Sequence, residues 1–451
     1  MEKKGSTKQI EKYRRNERTI TWFVHGVIPL LFMLFSCESA DQSPAEHWYY
    51  EFGTAYDTGA KVQTNVPNQL DSLGYQISGS FIEEEEYYTT DKHFTFWQSI
   101  PEGNYRVKLI LGDSEGKSST SVRVESRRLM LYEHNTDYGQ IDTVTIIVNV
   151  RSALIHGQDS IRLKPREMGY LQWDPYLSIE FTGERPCLKA MRIERVMDVP
   201  TIFLTGNSTV VDQDKEPWAS WGQIFPVFLK PNVAVANFAE SGETLKSFIG
   251  ERRLEKIDSL IKPGDFLFME FAHNDQKPGS GHVEPYTSYI EYLMKFINLA
   301  REKGATPVLV TSTNRRSFDE NGQIINTLDE YPNAMRQLAE KEDVLLLDLN
   351  TMSKVLYETL GVEGSKKAFV HYPAGTFAWQ RDALADNTHF STFGAWQLAK
   401  CVVEAIRQSE SPLKNYLKES IKPFDPAAPD QLEDWKWTIS ETGSSIKPDG
   451  Y

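Results

Sequence analysis

The stretch Ile202-Phe203-Leu204-Thr205-Gly206-Asn207-Ser208-Thr209-Val210 decides the fold, because in it a short apolar strand runs directly into a polar turn. The same alternation continues toward the C-terminus, with further apolar strands or helix-like segments at 233–235, 266–271, 288–301, 308–310, 328–341, 344–347 and 392–408. Apolar strands separated by amphipathic helices indicate a parallel sheet that is covered on both faces. The sequence therefore predicts a three-layer α/β domain whose ligand site lies at the carboxyl ends of the strands.

The part of the chain before this domain has a different pattern. From about residue 47 to residue 197, short alternating or apolar runs such as 105–111 and 144–150 are separated by turn-like segments. Short strands at near-regular spacing are typical of an antiparallel β-sandwich. After the last helix, Trp435 and Trp437 favour docking of a proline-rich tail onto one of the domains. We therefore predict a β-sandwich, an α/β domain and a C-terminal extension, at 47–198, 199–410 and 411–451.

The N-terminus predicts export. Residues 2–18 carry seven basic and three acidic side chains, and the uncharged run 22–35 that follows is shorter than the ~20 residues of a membrane-spanning helix. The run ends in Leu34-Phe35-Ser36-Cys37, which resembles the lipobox of bacterial lipoproteins. We therefore expect a lipoprotein signal peptide at 1–36, lipid attachment and membrane anchoring at Cys37, a linker at 37–46, and a periplasmic or outer-membrane location. A plain secretory signal and an uncleaved anchor remain open alternatives.

The composition excludes several classes of function. With 40% hydrophobic and 25% charged residues, the chain is typical of a globular protein. Its formal net charge of -14, without a basic stripe, would repel a nucleic-acid backbone. Cys37, Cys187 and Cys401 lack the C-x-x-C spacing of zinc or redox sites, and no H-E-x-x-H or acidic calcium loop is present in the sequence. We therefore expect no nucleic-acid partner and no metal.

Ser208 and His389 have the pattern of a nucleophile and its base. Ser208 follows the first predicted strand, where a reactive hydroxyl would be exposed, although a serine there can also cap a helix. Its hydroxyl is protonated at neutral pH and needs a base to attack. In Asp386-Asn387-Thr388-His389, an aspartate on the same turn can accept from the imidazole Nδ1–H and leave Nε2 to take the serine proton. An isolated D-x-x-H is commonly a surface turn, but its combination with Ser208 favours catalysis.

Two further loops offer donors for an oxyanion. Gly242 follows the second predicted strand, and its backbone N–H can approach a substrate closely because glycine has no side chain. Asn274 follows the third strand and provides a neutral amide donor. Each residue also has a structural interpretation, Gly242 as a turn and Asn274 as an Asx turn. The occurrence of all the required residue types after strands of one sheet favours the catalytic interpretation.

These segments together resemble the four conserved blocks of SGNH (GDSL) hydrolases. The similarity is greatest to rhamnogalacturonan acetylesterases, and it is carried by residues 206–210, 271–277, 386–390 and 394–395 within the range 200–408. The leading domain is similar to galactose-binding-like jelly rolls. The resemblance implies a flavodoxin-like parallel sheet, a Ser208, His389 and Asp386 triad, and an oxyanion hole built from Ser208 N–H, Gly242 N–H and Asn274. Asn207 departs from the family's Asp and is expected to support the loop by hydrogen bonding. Ala272 stands where Gly is more usual.

The resemblance also implies a substrate. It indicates a carbohydrate esterase that removes O-acetyl groups from pectic rhamnogalacturonan without a cofactor. Acetylated xylan, a lipid-like ester and a non-catalytic sugar-binding surface lipoprotein are the alternatives, and the intact triad disfavours the last. We expect several residues to contact sugar or its carboxylates, with packing or solvation as the alternative for each. They are His273, Tyr372 and Trp379, together with Trp218, Trp221, Lys277, Arg315, Arg316 and Arg381.

Overall fold

The computed structural model describes residues 47–51, 61–64, 73–78, 81–83, 88–90, 93–440 and 443–448. The expected signal peptide, the lipid attachment site Cys37 and the linker at 37–46 lie outside these residues. Within the described ranges, none of the helices combines the length and the apolar character that a bilayer crossing requires.

The N-terminal part is an antiparallel β-sandwich, as predicted. Its strands are β1 His47–Glu51, β2 Lys61–Thr64, β3 Leu73–Ser78, β4 Phe81–Glu83, β5 Tyr88–Thr90, β6 His93–Ser99, β7 Gly103–Gly112, β8 Ser118–Val124, β9 Arg128–Thr136, β10 Ile141–Val150, β11 Tyr176–Arg185 and β12 Cys187–Val196. One sheet has the order β10-β7-β12-β1-β2, with β5 and β4 attached to β12, and the other has the order β3-β6-β11-β8-β9. Alternate residues such as Val107 and Leu109 of β7 and Phe94 and Phe96 of β6 fill the space between the sheets.

The second part is a three-layer α/β domain, which confirms the predicted fold class. Its strands and helices are β13 Thr201–Gly206, α1 Trp221–Ile224, β14 Ala234–Asn237, α2 Leu245–Gly250, α3 Arg253–Leu260, β15 Phe266–Glu270, α4 Ile290–Glu302, β16 Thr306–Val310, α5 Tyr331–Glu342, β17 Leu345–Leu347, α6 Leu349–Gly364, β18 Phe369–Tyr372, β19 Leu384–Phe390 and α7 Thr392–Gln408. The parallel sheet has the order β14-β13-β15-β16-β17, which is the flavodoxin-like order. Neighbouring residues pack on opposite faces: Phe268 and Val308 belong to one apolar cluster, Leu267 and Leu309 to the other.

The segment that contains Asp386 and His389 differs from the sequence-based expectation. The sequence predicts a turn, whereas the structure places both residues in β19, which pairs antiparallel with β18. The pairing changes register between Phe369 and His371, so the ladder is irregular where the polar residues lie. The residues of β19 do not alternate between apolar and polar, so the sequence offers little signal for a strand.

Buried ion pairs connect the sandwich to the α/β domain. Asp212, four residues after Ser208, lies 2.9 Å from Arg128 Nη2 and 3.4 Å from Arg151 Nη2. Arg127 Nη2 lies 2.7 Å from Glu216 Oε2, and all of these side chains are at most 5% exposed. The arginines belong to the sandwich and the carboxylates to the loop that begins at Ser208, so the sandwich holds this loop in place.

The C-terminal tail docks on both domains. The Trp435 ring stacks on Tyr132 of β9 with centroids 4.9 Å apart, and it lies 4.7 Å from the ring of Trp396 in α7. Trp437 Nε1 donates to Glu216 Oε1 at 2.9 Å. The tail therefore reaches the same buried carboxylate that the sandwich arginine Arg127 holds.

Candidate active site

The carboxyl ends of three parallel strands position the candidate residues. Ser208 follows β13, while Gly242 and Asn274 follow its two neighbours in the sheet, β14 and β15. The turn into Ser208 requires glycine at position 206, because a Cβ there would lie 2.7 Å from the Glu270 carbonyl oxygen. Topology therefore brings together loops that are far apart in sequence.

Ser208, His389 and Asp386 form a continuous hydrogen-bonded chain. The distance from His389 Nε2 to Ser208 Oγ is 2.9 Å, and His389 Nδ1 lies 2.9 Å from Asp386 Oδ2. Asp386 Oδ1 also accepts from the backbone N–H groups of Thr388 and His389 at 2.7 and 3.0 Å. Burial by itself raises the pKa of Asp386, but the hydrogen bonds and the charge of His389 lower it by more, to about 2. An ionised Asp386 accepts Nδ1–H and leaves the Nε2 lone pair facing the serine hydroxyl.

Asn274 lies against the loop that carries Gly242. Gly242 has φ +81°, a left-handed conformation that favours glycine. Asn274 Nδ2 donates to the backbone carbonyl of Glu243 at 3.0 Å, while Lys277 Nζ donates to Asn274 Oδ1 at 2.9 Å. These two contacts orient the amide so that its nitrogen is directed toward the Gly242 loop and its oxygen toward a cation. The structure thus brings the two proposed oxyanion donors together.

Glu270, a buried carboxyl behind the Ser208 loop, was not predicted from the sequence. Asn207 Oδ1 lies 3.0 Å from Thr209 Oγ, and Thr209 Oγ lies 2.8 Å from Glu270 Oε1. The Thr209 hydroxyl has one proton, which it shares between Asn207 Oδ1 and Glu270 Oε1. Burial raises the pKa of Glu270 to about 7, although hydrogen bonds from Trp221 and Thr209 act in the opposite direction. An acidic residue at the end of the apolar strand β15 was the available sequence signal.

The raised pKa of Glu270 predicts a pH dependence of stability. In the unfolded chain a glutamate ionises near ~4.3, and in the folded protein Glu270 ionises near 7, so the free energy of unfolding falls as the pH rises through this window. Between pH 4.5 and pH 8, the free energy of unfolding of Glu270→Gln should fall by about 3 kcal/mol less than that of the wild type. Urea unfolding at both pH values measures it. The exposed Glu340→Gln is the control and should behave as the wild type; the same behaviour of Glu270→Gln would contradict the prediction.

The residues expected to contact sugar have mixed surroundings. His273 is 1% exposed, and its Nε2 donates to the Thr313 carbonyl at 2.8 Å. Burial, followed by the charge of Arg315, holds the pKa of His273 well below its usual value, so the ring is neutral. Tyr372 and Trp379 pack on the same Phe377 ring, each at 4.9 Å between centroids. Across the described residues, neither ring forms a hydrogen bond or a ring contact with the triad, and sugar contact by all three residues stays a prediction.

A cavity of about 440 Å³ adjoins the triad. One wall is Gln213, whose Nε2 donates to the Ser208 carbonyl at 2.8 Å, and another is Trp218, whose ring lies edge-on to His389 at 5.8 Å. A third wall is the tail residue Lys447, with Nζ 3.5 Å from Asp386 Oδ2. Ser208 and His389 are each only 1% exposed. The charged residues that line this triad-side cavity are Arg166, Asp214, Lys215 and Lys447.

The chain is similar to a known family and to known proteins. Residues 204–396 match the GDSL-like lipase/acylhydrolase family. The chain is 46% identical over 218 residues to rhamnogalacturonan acetylesterase RhgT of Bacillus subtilis. This alignment covers 48% of this chain and 93% of RhgT. It is 27% identical over 413 residues to the uncharacterized esterase YxiM of the same organism, covering 86% of this chain and 98% of YxiM. The crystal structure of YxiM has 22% identity and a TM-score of 0.43, over 80% of this chain and 98% of YxiM. The chain belongs to the GDSL-like lipase/acylhydrolase family and is a serine ester hydrolase.

Proposed function

We propose that this enzyme removes O-acetyl groups from pectic rhamnogalacturonan through an acyl-enzyme on Ser208. The hydrogen-bonded chain from Ser208 through His389 to Asp386 carries the proposal, because it supplies a nucleophile, a base and the group that orients the base. The similarity to RhgT, which is named a rhamnogalacturonan acetylesterase, supports the choice of polymer.

The geometry supports a two-step mechanism. His389 Nε2 takes the Ser208 proton as Oγ attacks the acetyl carbonyl carbon, and Asp386 stabilises the resulting imidazolium. The N–H groups of Ser208 and Gly242 and the Asn274 amide hold the oxyanion. His389 then protonates the sugar oxygen as it leaves. A water molecule, deprotonated by His389, attacks the acyl-serine and releases acetate.

The surroundings of Ser208 favour a small acyl group. The residue is 1% exposed, Gln213 is hydrogen-bonded to its backbone carbonyl, and Trp218 packs on His389, so a compact acyl group reaches it with the least displacement of these side chains. A long acyl chain would need an extended apolar channel, whereas the triad-side cavity places the charged side chains of Arg166, Asp214 and Lys447 beside its apolar residues Tyr170, Trp218 and Ile446. Placing a lipid tail against such charged groups would desolvate them at a cost in free energy.

Local cations support an acidic polymer. The net charge of -14 repels polyuronates at long range, so binding one needs positive groups at the site itself. Lys447 lies beside Asp386, and Lys277 lies beside Asn274. These side chains are placed to attract the carboxylates of galacturonate units around the acetylated position.

The location of the enzyme is part of the proposal. Its N-terminal sequence supports export, followed by lipid attachment at Cys37 and anchoring at the outer membrane or in the periplasm. At that location the enzyme would meet plant oligosaccharides that enter the cell envelope.

Acetate release from two polymers tests the substrate. The initial rate with acetylated rhamnogalacturonan should exceed that with acetylated xylan by about 10-fold or more at equal ester concentration. Added salt should raise KM for the acidic polymer and leave KM for xylan unchanged, because salt screens the attraction by the cations. Equal rates, or faster release from xylan, would contradict the pectic assignment and favour the xylan alternative.

A further inference from the structure

A second cavity lies on the sandwich, next to the triad-side cavity. It has a volume of about 540 Å³, within the range of small-molecule sites. Its floor is the outer face of β6 and β11, its rim includes Ser126 and Asp174, and Asp214 of the α/β domain closes one side. We refer to it below as the sandwich cavity.

We propose that the sandwich cavity binds a neutral sugar residue of the same polysaccharide whose ester is cleaved at Ser208. The polymeric nature of the ligand rests on the proposed function, whereas the preference for a neutral sugar rests on the cavity itself.

Strand alternation directs two aromatic rings, those of Trp97 and Tyr176, and several polar groups into the sandwich cavity. Trp97 of β6 is paired with Ser178 of β11, and Thr95 is paired with Glu180, so these four side chains share one face of the sheet. The intervening Phe96 points into the core between the sheets. Sugar rings present C–H faces that pack on aromatic rings and hydroxyl groups that bond to carboxylates and hydroxyls. The half-buried Trp97 beside Ser178 and Glu180 offers both kinds of contact.

A buried hydroxyl in the sandwich cavity lacks a partner. Ser126 lines the cavity and is 1% exposed, yet its Oγ has no hydrogen-bond partner among the described residues. Leaving such a group unsatisfied costs ~1–3 kcal/mol, and most buried polar groups are hydrogen-bonded. The Ser126 Oγ is not accessible in this conformation, so a ligand hydroxyl would bond to it once the side chain rotates toward the cavity, where Oγ can both donate and accept.

The charges around the sandwich cavity disfavour an acidic sugar. Its cations are already paired with protein carboxylates, Arg127 with Glu216 at 2.7 Å and Lys215 with Asp214 at 2.9 Å. Burial raises the pKa of Glu125 to about 8 and that of Asp174 to about 6, because desolvation disfavours a charged carboxylate at these positions. A uronate carboxylate would add such a charge, whereas a neutral hexose would not.

The two cavities adjoin each other. Gly169, Asp214 and Lys215 line both of them. The triad-side cavity also contains Arg166 and Lys447, so it is the more basic of the two. One bound polymer can therefore place an acidic unit near Ser208 and a neutral unit on Trp97.

Calorimetric titration of the full-length Ser208→Ala protein tests the inference. The probes are galactotetraose and tetragalacturonate, whose sugar units differ by a carboxylate at C6. Galactotetraose should bind, and Trp97→Ala in the same background should raise its Kd about 10-fold. Ser126→Ala, which removes only an unpartnered hydroxyl, should also raise this Kd. Tyr138→Ala, which removes a 69% exposed ring outside the cavity, should leave it unchanged.

The outcomes separate this inference from the proposed function. The inference would be overturned if galactotetraose did not bind, or if both cavity variants left its Kd unchanged. It would also be overturned if tetragalacturonate bound and Trp97→Ala weakened its binding equally. Hydrolysis of an aryl acetate by the otherwise wild-type protein reports on the proposed function, and Trp97→Ala should leave its kcat and KM unchanged. If the aryl acetate is not hydrolysed, the proposed function fails even if galactotetraose binds.

Discussion

Ser208→Ala is expected to lower kcat for an aryl acetate by at least about 10⁴-fold. The variant lacks the oxygen that attacks the carbonyl, while His389 and Asp386 remain hydrogen-bonded to each other. Any residual rate would then come from the oxyanion donors acting on direct attack by water. Steady-state kinetics, with acetate release from acetylated rhamnogalacturonan as a second assay, measure the loss.

Ser259→Ala is the matched control for this substitution. Ser259 lies in α3, and its hydroxyl donates only to the Lys256 carbonyl at 2.7 Å among the described residues. Both variants should unfold at the wild-type temperature, and only Ser208→Ala should lose activity. Wild-type turnover by Ser208→Ala would contradict the acyl-enzyme mechanism, since no other serine is hydrogen-bonded to His389 in the described part of the chain.

Arg128→Met should lower the free energy of unfolding by about 3–5 kcal/mol. Arg128 is 1% exposed, and its Nε and Nη2 both lie 2.9 Å from Asp212 Oδ2. Its Nη1 also donates to the Val235 carbonyl at 3.1 Å. Methionine fills a similar volume but leaves a buried carboxylate short of one cation, and removing one partner of a buried pair is costly. Denaturant unfolding at pH 7 measures the change.

A control and a double-mutant cycle make this prediction specific to the domain contact. Arg192→Met removes an exposed arginine from the same sandwich and should change stability by less than ~0.5 kcal/mol. Arg128→Met combined with Asp212→Leu should cost less than the sum of the single changes, with a coupling of ~0.5–3 kcal/mol. Additive effects would show that the pair does not couple the domains. Since Asp212 belongs to the Ser208 loop, Arg128→Met should also lower kcat before the protein unfolds.

Much of the candidate site could be predicted from the sequence because each part is local. The apolar strand before Ser208 and the spacing of Asp386 and His389 can be read within a few residues. In parallel α/β folds the carboxyl ends of the strands share one edge, so the loops of Gly242 and Asn274 were expected near Ser208. The placement of Asp386 and His389 in β19, in contrast, depends on pairing with β18, for which the sequence has no alternation signal.

The sequence by itself determined the two fold types, the order of the strands in the chain and the residue types of the triad, because strand and helix periods and turn chemistry are properties of short segments. Only the tertiary structure decided what surrounds them. Three contacts join residues more than 50 positions apart: Glu270 with Thr209, Arg128 with Asp212, and Lys447 with Asp386. Burial at such contacts sets pKa values and ion pairing, and burial arises only when the whole chain has folded.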